Sequence, residues 1–300
     1  MARNSAIEWT EHTWNPVTGC TKISEGCKHC YAEAMTRRFW RQWGCEPPPE
    51  HFKVKLHPER LLEPLHWRKP SRIFVCSMSD LFHAKVPSDF IDQVWAVMGA
   101  CPQHTFQVLT KRPNQMLGYI NGQSSGRLVD AIFRLRDLGA NPKQLATFHD
   151  AAWPLPNLWL GVTAENQARF DERWEYLRQT PAAVYFISNE PGLGPLILPA
   201  DFLARGKRAQ VIVGGETGPG ARPMHPAWVR SLRDQCQAAG VPFFFKGWGD
   251  WAPEYPQGIN LTNVEERFID GQHYWRVGKK RAGCLLDGVE YHEYPGAHDA

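Results

Sequence analysis

No stretch of this 300-residue chain comes near the ~18 consecutive apolar residues of a membrane-spanning helix, so no membrane segment is expected. The start of the chain, Met1-Ala2-Arg3-Asn4-Ser5 running into Ile7-Glu8-Trp9, holds no apolar core of a secretory signal. A cytoplasmic location is therefore expected, where thiols stay reduced. An excess of one charge is also missing. Lys and Arg number 34 against 31 Asp and Glu, and a net +3 is too small to establish a nucleic-acid partner. What the chain does have is apolar mass. It is 43% hydrophobic, enough for a sizeable core. Its 13 tryptophans suit core packing and base stacking equally well.

The densest chemistry lies in Thr13-Trp14-Asn15-Pro16-Val17-Thr18-Gly19-Cys20 and the following Gly26-Cys27-Lys28-His29-Cys30-Tyr31. Cys20, Cys27 and Cys30 are spaced C-x6-C-x2-C, and the C-x2-C pair has the spacing at which two thiolates reach one metal centre. Glycine precedes each of the first two cysteines, which allows close backbone approach. A fourth ligand is lacking. Structural zinc usually closes with four protein ligands; His29 is badly placed to serve, and His12 could reach back. Three thiolates on a [4Fe–4S] cluster instead leave one iron open, the arrangement that binds S-adenosylmethionine and splits it reductively. The other five cysteines, Cys45, Cys76, Cys101, Cys236 and Cys284, are scattered and read as plain thiols, mostly buried.

Residues 28–44 read as a first helix with Tyr31, Met35, Phe39 and Trp40 at helical spacing; Arg37, Arg38 and Arg41 form a solvated face. Leu56–Leu62 reads as a short helix. Then short apolar strands alternate with helices: strands at 72–76, 106–109, 158–162, 184–187, 210–213 and 241–245, with helices at 87–100, from after Asn166 to about Gln179, and at 226–239. Ser88 or Asp89 is expected to cap the first of these helices, and Gly240 to end the last. Nearly uninterrupted apolar strands between helices mean a parallel sheet covered on both faces, either a barrel or a doubly wound sheet. With a first strand expected near Ala6–Trp9 the count is seven, which favours an α/β partial (β/α) TIM-like barrel of six to seven parallel strands. Residues 1–250 form this barrel, with an insertion at 121–152 that carries a helix over Leu128–Leu135. Residues 251–300 form a small C-terminal β appendage, with a hairpin pairing His273–Val277 and Leu285–Gly288.

Every strand runs into polar residues at its C-terminal end, where sites in such folds lie. Asp80, Lys111, Glu165, Glu190, Glu216 and Lys246 all fall there. Gly214-Gly215-Glu216 reads as bare backbone for a cofactor, with Glu216 accepting hydrogen bonds. Arg222 reads as a partner for a carboxylate or phosphate, and Lys279-Lys280-Arg281 as a modest basic turn. A hydrolase using the strand-end carboxylates and a divalent metal is disfavoured by the lack of a His-rich ligand set at those ends.

The first motif, together with Ser77-Met78-Ser79-Asp80-Leu81-Phe82, Val108-Leu109-Thr110-Lys111-Arg112-Pro113, Val213-Gly214-Gly215-Glu216 and Phe243-Phe244-Phe245-Lys246, resembles the phage gene-product-37/gene-product-68 family, from about Ile7 to Pro295. The resemblance implies a phage or prophage origin and kinship with radical S-adenosylmethionine proteins. Their partial barrels carry the cluster after the first strand, although their usual spacing is C-x3-C-x2-C. It implies a separate three-Cys-motif partner protein and gives no substrate. Under this reading Cys20, Cys27 and Cys30 hold the cluster. Ser79, Asp80, Glu190, Gly214, Gly215 and Glu216 line the S-adenosylmethionine side, and Lys111 and Lys246 face substrate. An electron donor of flavodoxin or ferredoxin type is expected, and a nucleotide or nucleic acid is the first substrate expectation. The alternative is a metal-stabilised module that binds nucleic acid or protein without radical chemistry.

Overall fold

The computed structural model describes residues 5–122, 125–146, 154–254, 262 and 264–296. Its main sheet has seven strands: β1 (His12–Trp14), β4 (Arg72–Val75), β5 (Thr105–Thr110), β6 (Leu158–Thr163), β7 (Val184–Asn189), β8 (Ala209–Gly214) and β9 (Phe243–Gly247). They lie side by side in sequence order. The strands pair in parallel, as His12 opposite Ile73 and Phe106 opposite Leu158 illustrate. A doubly wound sheet reverses its order part-way; this one does not, so the architecture is a partial (β/α) barrel. Every residue of β6, β7 and β8 is buried, as strands covered on both faces require.

The chain divides into two compact units. The first comprises residues 1–22, 32–162 and 173–184, the second residues 23–31, 163–172 and 185–300. In the first, β2 (Val17–Thr18) pairs antiparallel with β3 (Lys55–Leu56), fixing the chain just before Cys20. Helix α1 (Tyr31–Phe39) follows the cysteines; α2 (Ser88–Gly99) and α3 (Pro113–Asn121) follow β4 and β5. The insertion supplies α4 (Ser125–Asp137) and α5 (Pro142–Ala146), and the rest of its C-terminal part lies outside the described residues. α4 lies along α2, with Arg127 paired to the buried Asp92 and Arg134 to Asp89. That cover explains why α2 is buried on nearly all sides rather than on one face.

In the second unit α7 (Ala200–Leu203) and α8 (Pro226–Ala239) flank β8; α6 (Gln167–Leu177) begins in this unit and ends in the first. Residues 291–293 run along the open edge of β9: Phe245 N–H donates to the Tyr291 carbonyl, and Glu293 N–H to that of Phe243. An edge so covered is closed to pairing with other chains. A three-stranded antiparallel sheet, β10 (Trp251–Ala252), β12 (Gln272–Arg276) and β11 (Glu266–Ile269), completes the unit with the short α9 (Lys279–Ala282).

Several local expectations are corrected. The first strand is His12–Trp14, not Ala6–Trp9; Trp9 instead buries its ring against Phe74, with centroids 4.7 Å apart. α1 packs through its small residues Ala32 and Thr36, which leaves Tyr31 and Met35 exposed. Leu56–Leu62 is a strand end and a 3-10 turn (Pro58–Arg60), because β2 captures Leu56. α2 starts at Pro87 without a side-chain cap from Ser88 or Asp89. The C-terminal hairpin pairs β12 with β11, not with Leu285–Gly288. Its turn is Asp270-Gly271, both at positive φ (50° and 80°), the conformation a two-residue hairpin demands. Leu285–Gly288 folds on itself, Leu286 pairing with Val289, and Lys279-Lys280-Arg281 is helical rather than a turn.

Gly240 ends α8 as the sequence predicts, at φ 64°, while Val241 N–H returns to the Cys236 carbonyl. A Cβ in this left-handed conformation is disfavoured by roughly 1–2 kcal/mol. Gly240→Ala is expected to lower the unfolding free energy by about 1 kcal/mol and Gly240→Asn by less, measured by urea denaturation.

Candidate functional site

The cysteine segment starts where β1 and β4 end. Gly19 N–H donates to the Met78 carbonyl, and the Ser79 hydroxyl donates to the Gly19 carbonyl at 2.5 Å. Cys20 N–H donates to the Phe52 carbonyl. Gly19 sits at φ 80°, and a Cβ there would collide with the Lys53 carbonyl, so glycine is required before the first cysteine.

Asp80, just past β4, is buried and fully engaged. It accepts from the Thr110 hydroxyl (2.8 Å), Lys111 N–H (3.1 Å), Phe82 N–H (3.0 Å) and the Arg112 guanidinium (2.9 Å). Arg112 then reaches the cysteine segment. It donates to the Thr21 carbonyl (2.9 Å), the Thr21 hydroxyl (3.0 Å) and Cys20 Sγ (3.5 Å). His83 takes the Thr21 hydroxyl from its other side at 2.9 Å. Asp80 therefore aims a guanidinium at a sulfur. Burial pushes the Cys20 thiol up, Asp80 adds to the rise, and Arg112 opposes it.

In the second unit the remainder of the segment is held in the same manner. Ser24 donates to the buried Glu165 carboxylate at 2.6 Å and lies 3.7 Å from Cys27 Sγ. Gly26 lies against that carboxylate so closely that a Cβ would strike it. Glu25 accepts from Asn166 (2.5 Å) and Arg169 (3.1 Å). Hydrogen bonds to its own backbone and then to these side chains keep its carboxyl below the usual range. Arg222 forks onto Glu216 (2.6 and 2.8 Å) and donates to the Glu25 carbonyl (3.1 Å). The ring of His29 fills the space beside Gly220.

Glu190 and Lys246 form an ion pair beside Gly214. At Gly215 a Cβ would strike the Trp248 carbonyl, so the chain itself occupies that bare backbone. Lys111 offers its backbone N–H to Asp80. The structure thus gathers Cys20, Ser79, Asp80 and Lys111 in one unit, and Glu190, Gly214 and Lys246 in the other. Cys27 closes a 3-10 turn (Glu25–Cys27), and Cys30 immediately precedes α1. The three cysteines are half-buried. Among the described residues no three His, Cys, Asp or Glu side chains stand together so as to hold a metal ion.

The family model described as "Protein of unknown function (DUF5131)" matches residues 4–295. The chain belongs to the DUF5131 family. No curated protein and no solved structure matches it. In this DUF5131 protein, sequence reasoning marked Arg222 as a carboxylate partner, which it is, but passed over Arg112, Thr21, His83, Asn166 and Arg169. Arg112 had one available signal. It follows a polar strand end and precedes the proline that opens α3, a place where a long side chain turns back toward the rim.

The Asp80–Arg112 pair is buried on both sides, whereas Arg169 and Glu25 are about one-third exposed. Removing one partner of a buried pair costs about 3–5 kcal/mol, and an exposed pair is worth about 0–1 kcal/mol. Urea denaturation is expected to show Arg112→Met as the strongly destabilising change and Arg169→Met as nearly neutral. Asp80→Asn removes a charge that raises the Cys20 pKa, so the thiolate forms at lower pH. Iodoacetamide at pH 8 is expected to alkylate Cys20 faster in this variant, read by mass spectrometry. Fully buried Cys101, pushed up to about 12 by burial, serves as the control for global unfolding.

Proposed function

We propose that this DUF5131 protein is a radical S-adenosylmethionine-type enzyme, with Cys20, Cys27 and Cys30 as ligands of a [4Fe–4S] cluster and a nucleotide or nucleic acid as substrate. One observation carries the reading. Buried acidic groups past the strand ends fasten a loop that carries three half-buried cysteines, and a guanidinium N–H points at the first sulfur. The resemblance to the phage gene-product-37/gene-product-68 proteins supports the same cofactor class.

The chemistry of the donor set fits such a group: three cysteine sulfurs, with a guanidinium N–H donor on the first, a contact of the kind that tunes iron–sulfur centres. When bound, the cluster with S-adenosylmethionine supplies one-electron cleavage of a sulfonium bond. The chain's own groups have definable tasks. Arg112 favours the Cys20 thiolate against the burial that opposes it, so metal binding releases the proton. Asp80 holds Arg112 in place, and Glu165 and Glu216 hold the Ser24–Gly26 stretch. An electron donor of flavodoxin or ferredoxin type and a three-Cys-motif protein are the proposed partners.

A second reading, a binding module without radical chemistry, is favoured by the lack of a gathered ligand set among the described residues. Anaerobic reconstitution with iron and sulfide separates the two. The enzyme reading expects a brown protein that yields 5′-deoxyadenosine from S-adenosylmethionine on reduction, with Cys27→Ala losing both colour and product. A colourless protein after reconstitution, or a fully loaded cluster that yields no 5′-deoxyadenosine, sinks it.

A further inference from the structure

A cavity of about 880 Å³ lies in the first unit beside the start of the cysteine segment. That is the size of a small-molecule site. Its walls combine two kinds of surface. Met35, Trp43 and Met78 supply soft and aromatic faces, and Met35 and Trp43 stay 39% and 45% exposed. Met35 lies on α1 and belongs to the apolar series read from the sequence, and Trp43 lies on the turn after it, its ring 5.5 Å from that of Phe39.

His51 stands in the wall and is 7% exposed, yet neither ring nitrogen has a hydrogen-bond partner. Buried imidazole nitrogens are ordinarily satisfied, and a pair left without partners opposes folding. The ring has little freedom to escape. It sits in a 3-10 turn (Glu50–Phe52) whose Phe52 carbonyl accepts Cys20 N–H, and Gly19 packs on the next residue's carbonyl. By contrast the cavity's other buried histidine, His57, is bonded at both nitrogens, to Thr18 and Glu59.

Cations complete the site. Lys53, Lys55 and Arg60 line the cavity, with Lys53 already paired to Glu50. Among the described residues Lys55 is the cation free of a carboxylate, and Arg60, which donates to the Asn15 carbonyl at 3.3 Å and approaches Glu59 at 3.7 Å, stands beside it. The acids Glu46 and Glu50 are the opposing charges in the wall.

We propose that this cavity binds a nucleoside phosphate. The flat heteroaromatic ring lies against Trp43 and the two methionines, its polar edge bonds to His51, and its phosphate meets Lys55 and Arg60. A base supplies what the cavity lacks, a planar edge with both donors and acceptors, and stacking on an aromatic face tolerates any base. The site stands apart from the cluster reading and requires no iron.

Isothermal titration of the aerobic, metal-free full chain tests it with adenosine 5′-monophosphate, guanosine 5′-monophosphate, adenosine and inorganic phosphate. A nucleoside monophosphate is expected to bind at least tenfold more tightly than adenosine, and inorganic phosphate not measurably. His51→Leu is expected to weaken nucleotide binding at least tenfold while raising the Tm, because the unpaired imidazole is gone. A purely structural histidine would lower the Tm. Trp43→Ala, at an exposed position, gives an independent loss of affinity if His51→Leu folds poorly. Absence of nucleotide binding, or wild-type affinity in Trp43→Ala or in a folded His51→Leu, overturns the proposal.

Discussion

A parallel strand buried on both faces has little room for charge, and that constraint governs this protein. β6, β7 and β8 admit no exposed position and carry no charged residue. Three acidic side chains stand instead in the turns that follow strands, where Asp80, Glu165 and Glu216 are each almost wholly buried. A buried carboxylate must be paired or it opposes folding by several kcal/mol. Each finds its partners in or next to the cysteine segment. Asp80 works through Arg112, Glu165 binds Ser24 directly, and Glu216 works through Arg222.

The consequence for the segment is a fixed backbone with accessible sulfur. Thr21, Ser24 and Glu25 are gripped, and Gly19 and Gly26 give the close approach that the grip requires. The sulfurs themselves remain half-exposed, unlike Cys76, Cys101 and Cys236, whose thiols are buried and held protonated by desolvation. Burial also pushes the Cys20 thiol up, but there the Arg112 guanidinium opposes the rise.

The cavity beside Gly19 follows from the same anchoring. The β2–β3 pairing and the Cys20-to-Phe52 hydrogen bond hold residues 50–56 against the start of the segment. α1 turns its small residues inward. Phe39 then packs on Trp43, with ring centroids 5.5 Å apart, and Met35 borders the open space.

The alternation of short apolar runs with helices was enough to locate six of the seven parallel strands, because a doubly covered strand has little room for charge, while the first strand was expected near Ala6–Trp9 and lies at His12–Trp14. The end of α8 was legible for a similarly local reason, since only glycine sits easily at positive φ. The Asp270-Gly271 hairpin turn was equally local and was passed over. Other features depended on which surfaces meet. Periodicity located the apolar series on α1 but not which face would be covered, because Ala32 and Thr36 allow a closer approach than Tyr31 and Met35. Strand-end acids were visible as acids, yet whether they meet a ligand or an arginine is a matter of distance. The sequence by itself determined the order of strands and the residue types at their rim, since both follow from burial along one stretch of chain. Only the tertiary structure decided that those rim charges satisfy one another around the cysteines and leave His51 without a partner, because pairing energies depend on groups tens of residues apart coming within about 3 Å.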